Sequence, residues 1–353
     1  MTPLLLALAL LGPADDPAAA PPPPAAADGF AEARTGDVPD GAAALMDAKT
    51  FQAIDDGLAW LAAQQAPDGS FGSGAYAGNI AVTSLAGLAF MGSGSSPGRG
   101  PWGPQIDKAL TYVLDNTAPS GFISSPPESR NPMYGHGFGA LFLAEAYGMT
   151  RRGEIREKLE KSVRLIVDTQ NAEGGWRYQP VRRDADLSVT ICQINALRAA
   201  RNAGVFVPRE TVEACLKYVR QSQNPDGGFR YMLPVGQSAF PRSAAGVVAL
   251  YSAAVYDAKE VDAGIDYLKQ FAPNVSPDQR QNHYFYGHYY AAQAMWIRGG
   301  DDWNAWYPPV RDELVARQSP RGYWMDPVGN DYGTAMALII LQMPNNTLPI
   351  FQR

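Results

Sequence analysis

An all-α toroid, a double-layered barrel of about six helical hairpins, is the fold this sequence predicts. Three observations carry the prediction. A turn containing glycine and an aromatic residue recurs along the chain, an amphipathic helical pattern precedes it, and a stretch of small and apolar residues follows it.

The turns stand as Gln65-Ala66-Pro67-Asp68-Gly69-Ser70-Phe71, Gln170-Asn171-Ala172-Glu173-Gly174-Gly175-Trp176 and Gln223-Asn224-Pro225-Asp226-Gly227-Gly228-Phe229. Weaker copies are Ser120-Gly121-Phe122 and Gln318-Ser319-Pro320-Arg321-Gly322-Tyr323-Trp324, and in the fifth unit Ala272-Pro273-Asn274 and the loop to Asn282 stand in the turn's place. Proline cannot continue a helix and glycine accepts the positive φ of a tight turn, so each string stops the helix before it. The helix before the third turn keeps Leu159, Val163, Ile166 and Val167 on one stripe, which makes it an outer helix. By contrast Ser243 to Ala254 is apolar nearly all round, which makes it an inner, buried one.

The chain has 353 residues, 46% of them hydrophobic, enough for one large core. A net charge of -6 argues against nucleic acid as a partner. Met1 to Leu11 is an apolar run too short to span a bilayer, followed by Ala18-Ala19-Ala20. Residues 1–20 therefore read as a signal peptide, 21–44 as an Ala/Pro-rich disordered linker and 45–353 as the toroid. The expected location is outside the cytoplasm, periplasmic or secreted, with no transmembrane segment. Cys192 and Cys215 fall at mismatched levels of neighbouring helices and are expected as two buried thiols. The tail from Met343 to Arg353 is expected along the barrel surface with its Leu, Ile and Phe buried.

The Gln-x-x-x-Gly-x-Phe/Trp turns resemble the QW repeats of squalene-hopene cyclases and of protein prenyltransferase β-subunits, over roughly residues 45 to 345. In that superfamily the turns are scaffold, and the resemblance implies an apolar cavity for an isoprenoid or another amphiphile.

All inner helices run in one direction, so their N-termini surround one mouth. The polar residues that the repeat brings there are His136, Asp184, Asp186, Arg242, His283, His288 and Asp331, with Tyr134, Tyr178, Tyr231, Tyr286, Tyr323, Trp324 and Tyr332 among them. Arg177, Arg182, Arg183, Arg230 and Arg321 complete a rim suited to a ligand with one polar and one apolar end. The binding candidates are His136, Arg242, His288, Tyr286, Asp331 and Trp324.

The catalytic candidates are Asp186 and Asp184 in Asp184-Ala185-Asp186-Leu187-Ser188-Val189-Thr190. Two carboxylates one residue apart suppress each other's ionisation, which keeps one protonated as an acid. The string resembles the Asp-x-Asp-Asp-Thr acid motif of squalene cyclases, with Asp186 in the middle, proton-donating place and Leu187 where that motif has its third Asp. Those cyclases use two helical domains, so a partner chain supplying the second is an open reading. The prenyltransferase zinc set of Asp, Cys and His is not reproduced, because Cys192 lies six residues beyond Asp186 where that family has a two-residue step. No cofactor or metal is expected. A Gly-x-x-x-x-Gly-Lys loop does not occur. Three readings stay open: a cyclase- or transferase-like enzyme, a non-catalytic ligand- or protein-binding scaffold, and a polysaccharide-processing enzyme that pairs Asp186 with Asp331.

Overall fold

The computed structural model describes residues 42–125, 131–272 and 283–352, all within one compact unit, Thr35–Arg353. The stretch expected as a signal peptide, most of the expected linker and nearly all of the loop that stands for the fifth turn lie outside the described residues.

Six hairpins follow one another: α1 (Ala48–Gln64) and α2 (Ile80–Gly92), α3 (Gly103–Asp115) and α4 (Pro132–Tyr147), α5 (Glu154–Thr169) and α6 (Leu187–Asn202). They continue with α7 (Arg209–Ser222) and α8 (Phe240–Ser252), α9 (Lys259–Lys269) and α10 (Tyr284–Arg298), α11 (Gly300–Arg317) and α12 (Asn330–Leu341). The even-numbered helices form the inner ring, each packed on the next, and α12 returns to α2. The expected toroid is thus the observed one. Composition sorts the layers: α5 buries only Ile155, Leu159, Ser162, Val163 and Ile166, whereas α4 buries every residue but Tyr134 and Tyr147.

The recurring turn holds the layers together by two devices. Its glutamine amide spans the turn and the next outer helix: Gln170 Nε2 donates to Gly174 O at 2.8 Å and to Thr211 O at 2.9 Å, and Gln223 repeats this with Gly227 O and Glu260 O. Gln318 Nε2 donates to Gly322 O at 2.9 Å and to Ala53 O at 2.8 Å, joining the last hairpin to the first. Gln318→Ala is therefore expected to cost about 2 kcal/mol, two net hydrogen bonds. A urea midpoint equal to that of the wild type would remove this closure from the account.

The second device is a latch from turn to inner helix. The backbone N–H groups of Phe71, Trp176, Phe229 and Trp324 donate to Thr83 Oγ1, Thr190 Oγ1, Ser243 Oγ and Thr334 Oγ1. The indoles of Trp176 and Trp324 each donate at 2.7 Å to a carbonyl of their own outer helix, Ile166 O and Leu314 O. Cys192 and Cys215 are free, buried thiols, as expected.

The C-terminal segment departs from its expected place. Leu348, Ile350 and Phe351 are buried, but the segment crosses the lower end of the inner ring rather than running along the outer surface. Polar groups in the last turns of three inner helices draw it there. Asn345 and Thr347 donate to Gly92 O, Ile350 N donates to Glu145 Oε2 at 3.3 Å, and the Arg198 guanidinium donates to Gln352 O.

Candidate functional site

Asp186 is the best-placed group at the upper mouth. It is the N-cap of α6: Oδ1 accepts from Val189 N at 2.9 Å, satisfying one of the orphan donors of the helix. Neighbouring loops cover it. Asp186 N donates to Trp176 O at 3.0 Å, and Leu187 N donates to Tyr231 O at 2.9 Å from the following hairpin. The side chain is 0% exposed, and Oδ2 makes no hydrogen bond.

Burial pushes the Asp186 carboxyl up to about 6, against the pull of the Val189 N–H and the Arg177 guanidinium. Arg177 Nε stands 3.8 Å from Asp186 Oδ2, beyond hydrogen-bond reach, while Nη1 bonds Asp184. Asp184 is half-exposed and engaged outward with that arginine. The physical cause of the raised value is thus desolvation, and mutual suppression by the adjacent carboxylate is not among its causes.

Tyrosines gather near the Asp186 carboxyl. The Tyr178 and Tyr231 hydroxyls bond each other across two mouth loops, and Tyr231 also leans weakly on the carboxylate. Tyr286 donates to Ser188 O at 3.3 Å, in the first turn of α6. Burial raises the phenols of Tyr134 and Tyr286, with the Asp186 charge among the smaller causes for both. Below them Cys192 Sγ meets the Tyr290 hydroxyl at 3.5 Å, and the Phe138 and Tyr289 rings lie 6.2 Å apart.

The other candidates take different places. His136 is fully buried between the layers: Nδ1 accepts from Ile123 N at 3.2 Å and Nε2 faces Ser162 O at 3.3 Å. It serves the second turn as Thr190 serves the third. His288 holds the corresponding place in α10, with Nδ1 2.9 Å from Tyr284 O. Trp324 is the sixth turn's scaffold indole. Arg242 donates to Phe229 O and Gln237 O and so braces the fourth mouth loop. Asp331 Oδ2 accepts from Gly72 N at 3.1 Å; burial raises its carboxyl against the pull of that bond, and Asp186 is not among the causes. Of the six binding candidates, only Tyr286 joins Asp186. Two of the rim arginines are spent on backbone, Arg182 on Asp168 O and Arg230 on Pro234 O. Among the described residues no group of three or more His, Cys, Asp or Glu could hold a metal ion.

Burial depresses the His136 imidazole to about 4 from an ordinary 6.5. The neutral form is the one that folds, so its contribution is present above 6.5 and is lost as pH falls through 4. That loss amounts to about 3 kcal/mol at most. His136→Gln is expected to flatten this part of the acid-stability profile; an unchanged profile in urea titrations would exclude His136 as its source.

Two surface recesses, about 320 Å³ beside Trp60 and Arg321 and about 250 Å³ beside Tyr256 and Arg298, lie on the barrel's outer and lower edges. Neither includes Asp186, and burial and an unsatisfied carboxylate oxygen mark the site better than concavity does.

A closed six-hairpin α/α toroid is an architecture that this chain shares with terpene cyclases and with a mannanase. Solved structures bear this out at the level of fold. The type II terpene cyclase MstE from Scytonema, in a variant complexed with geranylgeranyl dihydroxybenzoate, superimposes with a TM-score of 0.58 at 13% identity, covering 85% of this chain and 98% of that one. An inactive variant of an alpha-1,6-mannanase of Salegentibacter sp., complexed with alpha-1,6-mannotriose, gives 0.62 at 8% identity, covering 84% and 99%. In sequence, the chain is 28% identical to a drimenyl diphosphate synthase of Streptomyces showdoensis over 181 residues, 50% of this chain. The match spans about a third (32%) of that relative's length. No family model matches the chain.

Proposed function

We propose that this protein acts on an isoprenoid alkene as a cyclase, with Asp186 as the proton donor. The observation that carries the reading is a wholly buried carboxyl whose Oδ1 is fixed by a helix cap and whose Oδ2 has no hydrogen-bond partner. A group so placed keeps its proton up to about pH 6 and has one oxygen to present to a substrate. In the step, the Oδ2–H bond breaks as a C–H bond forms at the alkene terminus, leaving a carboxylate and a tertiary carbocation. Arg177 favours the carboxylate, and the faces of Tyr134 and Tyr286 favour the cation. For substrate to enter, the Tyr178–Tyr231 bridge parts.

The likeness to MstE supports the reading in a second way. That cyclase's solved chain is covered almost completely by this one toroid, so a second domain is not a requirement of the fold. The polysaccharide reading, which pairs Asp186 with Asp331, is supported at the level of fold by the mannanase likeness. The mannanase's inactive variant replaces two consecutive aspartates. Here the consecutive pairs among the described residues, Asp55–Asp56 and Asp301–Asp302, lie on the outer helices α1 and α11.

A scaffold that binds without turnover is the second reading, favoured by Leu187 standing where the acid motif has its third Asp. Incubation with a panel of linear prenyl alcohols, diphosphates and prenylated phenols, followed by mass spectrometry of the extracts, separates the two. Cyclised products support the cyclase. Bound but unchanged prenyl compounds would leave the scaffold.

A further inference from the structure

We propose, building on the reading of Asp186 as an acid for isoprenoid alkenes, that Phe138 and Tyr289 form the floor of a shallow reaction chamber and restrict the protein to short prenyl chains. The argument is one of ring geometry. In an inner ring ordered α2, α4, α6, α8, α10, α12, helices α4 and α10 stand opposite each other. Phe138 projects from α4 and Tyr289 from α10, and their rings meet edge to face with centroids 6.2 Å apart. A contact between opposite helices crosses the barrel axis. Cys192 of α6 and Tyr290 of α10, which are not neighbours in the ring either, meet at 3.5 Å at the same level.

Phe138 is the seventh residue of α4 and Tyr289 the sixth of α10. At 1.5 Å per residue the barrier lies roughly 9 Å below the mouth where Asp186 caps α6. Below it the space is taken by the protein itself. Phe351 packs edge to face on Tyr289 at 6.5 Å, and its segment is held from beneath by Glu145 and Arg198. Phe138, Tyr289, Tyr290 and Phe351 are all buried, and a close-packed interior does not yield a deeper channel without losing atoms. The chamber then admits the terminal isoprenyl end of a substrate beside Asp186 Oδ2 and leaves the polar end at the rim. A longer chain has nowhere to continue.

The test is native mass spectrometry of the full chain equilibrated with equal concentrations of farnesol and geranylgeraniol. The wild type is expected to retain farnesol at least tenfold over geranylgeraniol. Phe138→Ala and Tyr289→Ala, checked for folding by circular dichroism, are expected to bring that ratio close to one. Tyr289→Phe keeps the ring and is expected to keep the ratio. Should Phe138→Ala not fold, Phe351→Ala opens the same floor from below and gives the same change. Equal retention of both alcohols by the wild type, or a ratio unmoved in folded Phe138→Ala and Phe351→Ala, overturns the floor. Retention of neither alcohol by any variant speaks against the isoprenoid reading, and the floor falls with it.

Discussion

Asp186→Asn is expected to lower turnover by about 10²–10⁴-fold, the range that a positioned general acid supplies, while leaving the fold intact. Asparagine is as good an N-cap as aspartate, so α6 keeps its start. The wild-type rate should be level below about pH 6 and fall about tenfold per pH unit above it, because the donor is the protonated form and its carboxyl is raised to about 6. Stability moves the other way in the variant. A carboxyl raised from 3.8 to about 6 by folding contributes fully below 3.8, and that contribution is lost as pH rises through 6. The wild type therefore carries a penalty of up to about 3 kcal/mol at pH 8 that the asparagine does not. Urea titrations of both proteins at pH 4 and pH 8 measure it. Wild-type turnover in the variant would remove Asp186 from the mechanism. A variant less stable than the wild type at pH 8 would mean that the buried carboxylate is paired rather than stranded.

Gly174→Ala is expected to unfold or severely destabilise the barrel, by about 3–5 kcal/mol. Gly174 has φ +98°, and a Cβ there would stand 2.1 Å from Ala214 O. Both partners are backbone, of the third turn and of α7, so no side-chain rotation relieves the clash. The comparison is Gly204→Ala: φ is +82°, but nothing lies within 4 Å, so only the left-handed backbone cost of about 1 kcal/mol applies. The difference between the two urea midpoints isolates the close approach of turn to neighbouring helix. Equal losses would show that the turn's conformation alone, and not its contact with α7, requires glycine.

The repeat was legible because its parts are local. A Gln, a Gly at positive φ and an aromatic in a seven-residue string carry the same hydrogen bonds wherever the string occurs. His136 and His288 show where such reading stops. Both lie near the starts of inner helices, as Asp186 lies just before one, yet His136 is turned between the layers and does the work of Thr83, Thr190 and Ser243, while His288 Nδ1 stays with Tyr284 O of its own helix. A sixfold register of hydroxyl or histidine, four to five residues into each inner helix, was the signal that would have separated them from the site. Phe138 and Tyr289 were missed for a related reason. They sit in the middle of helices that are apolar on all sides, where composition does not distinguish the face toward the axis from the face toward the outer layer.

By itself, the sequence determined the alternation of amphipathic and wholly apolar helices, the turns that join them and the one mouth to which every inner helix start is brought. Those properties follow from periodicity, backbone conformation and direction of travel, which are set within a few residues. Only the tertiary structure decided that Asp186 is sealed from water while Asp184 is not, that Arg182 and Arg230 of the rim are spent on backbone and that rings from opposite helices meet on the axis. Desolvation by neighbouring loops and contact across a closed ring depend on residues brought together from separate hairpins, more than 100 positions apart in the case of Phe138 and Tyr289, and no local pattern encodes them.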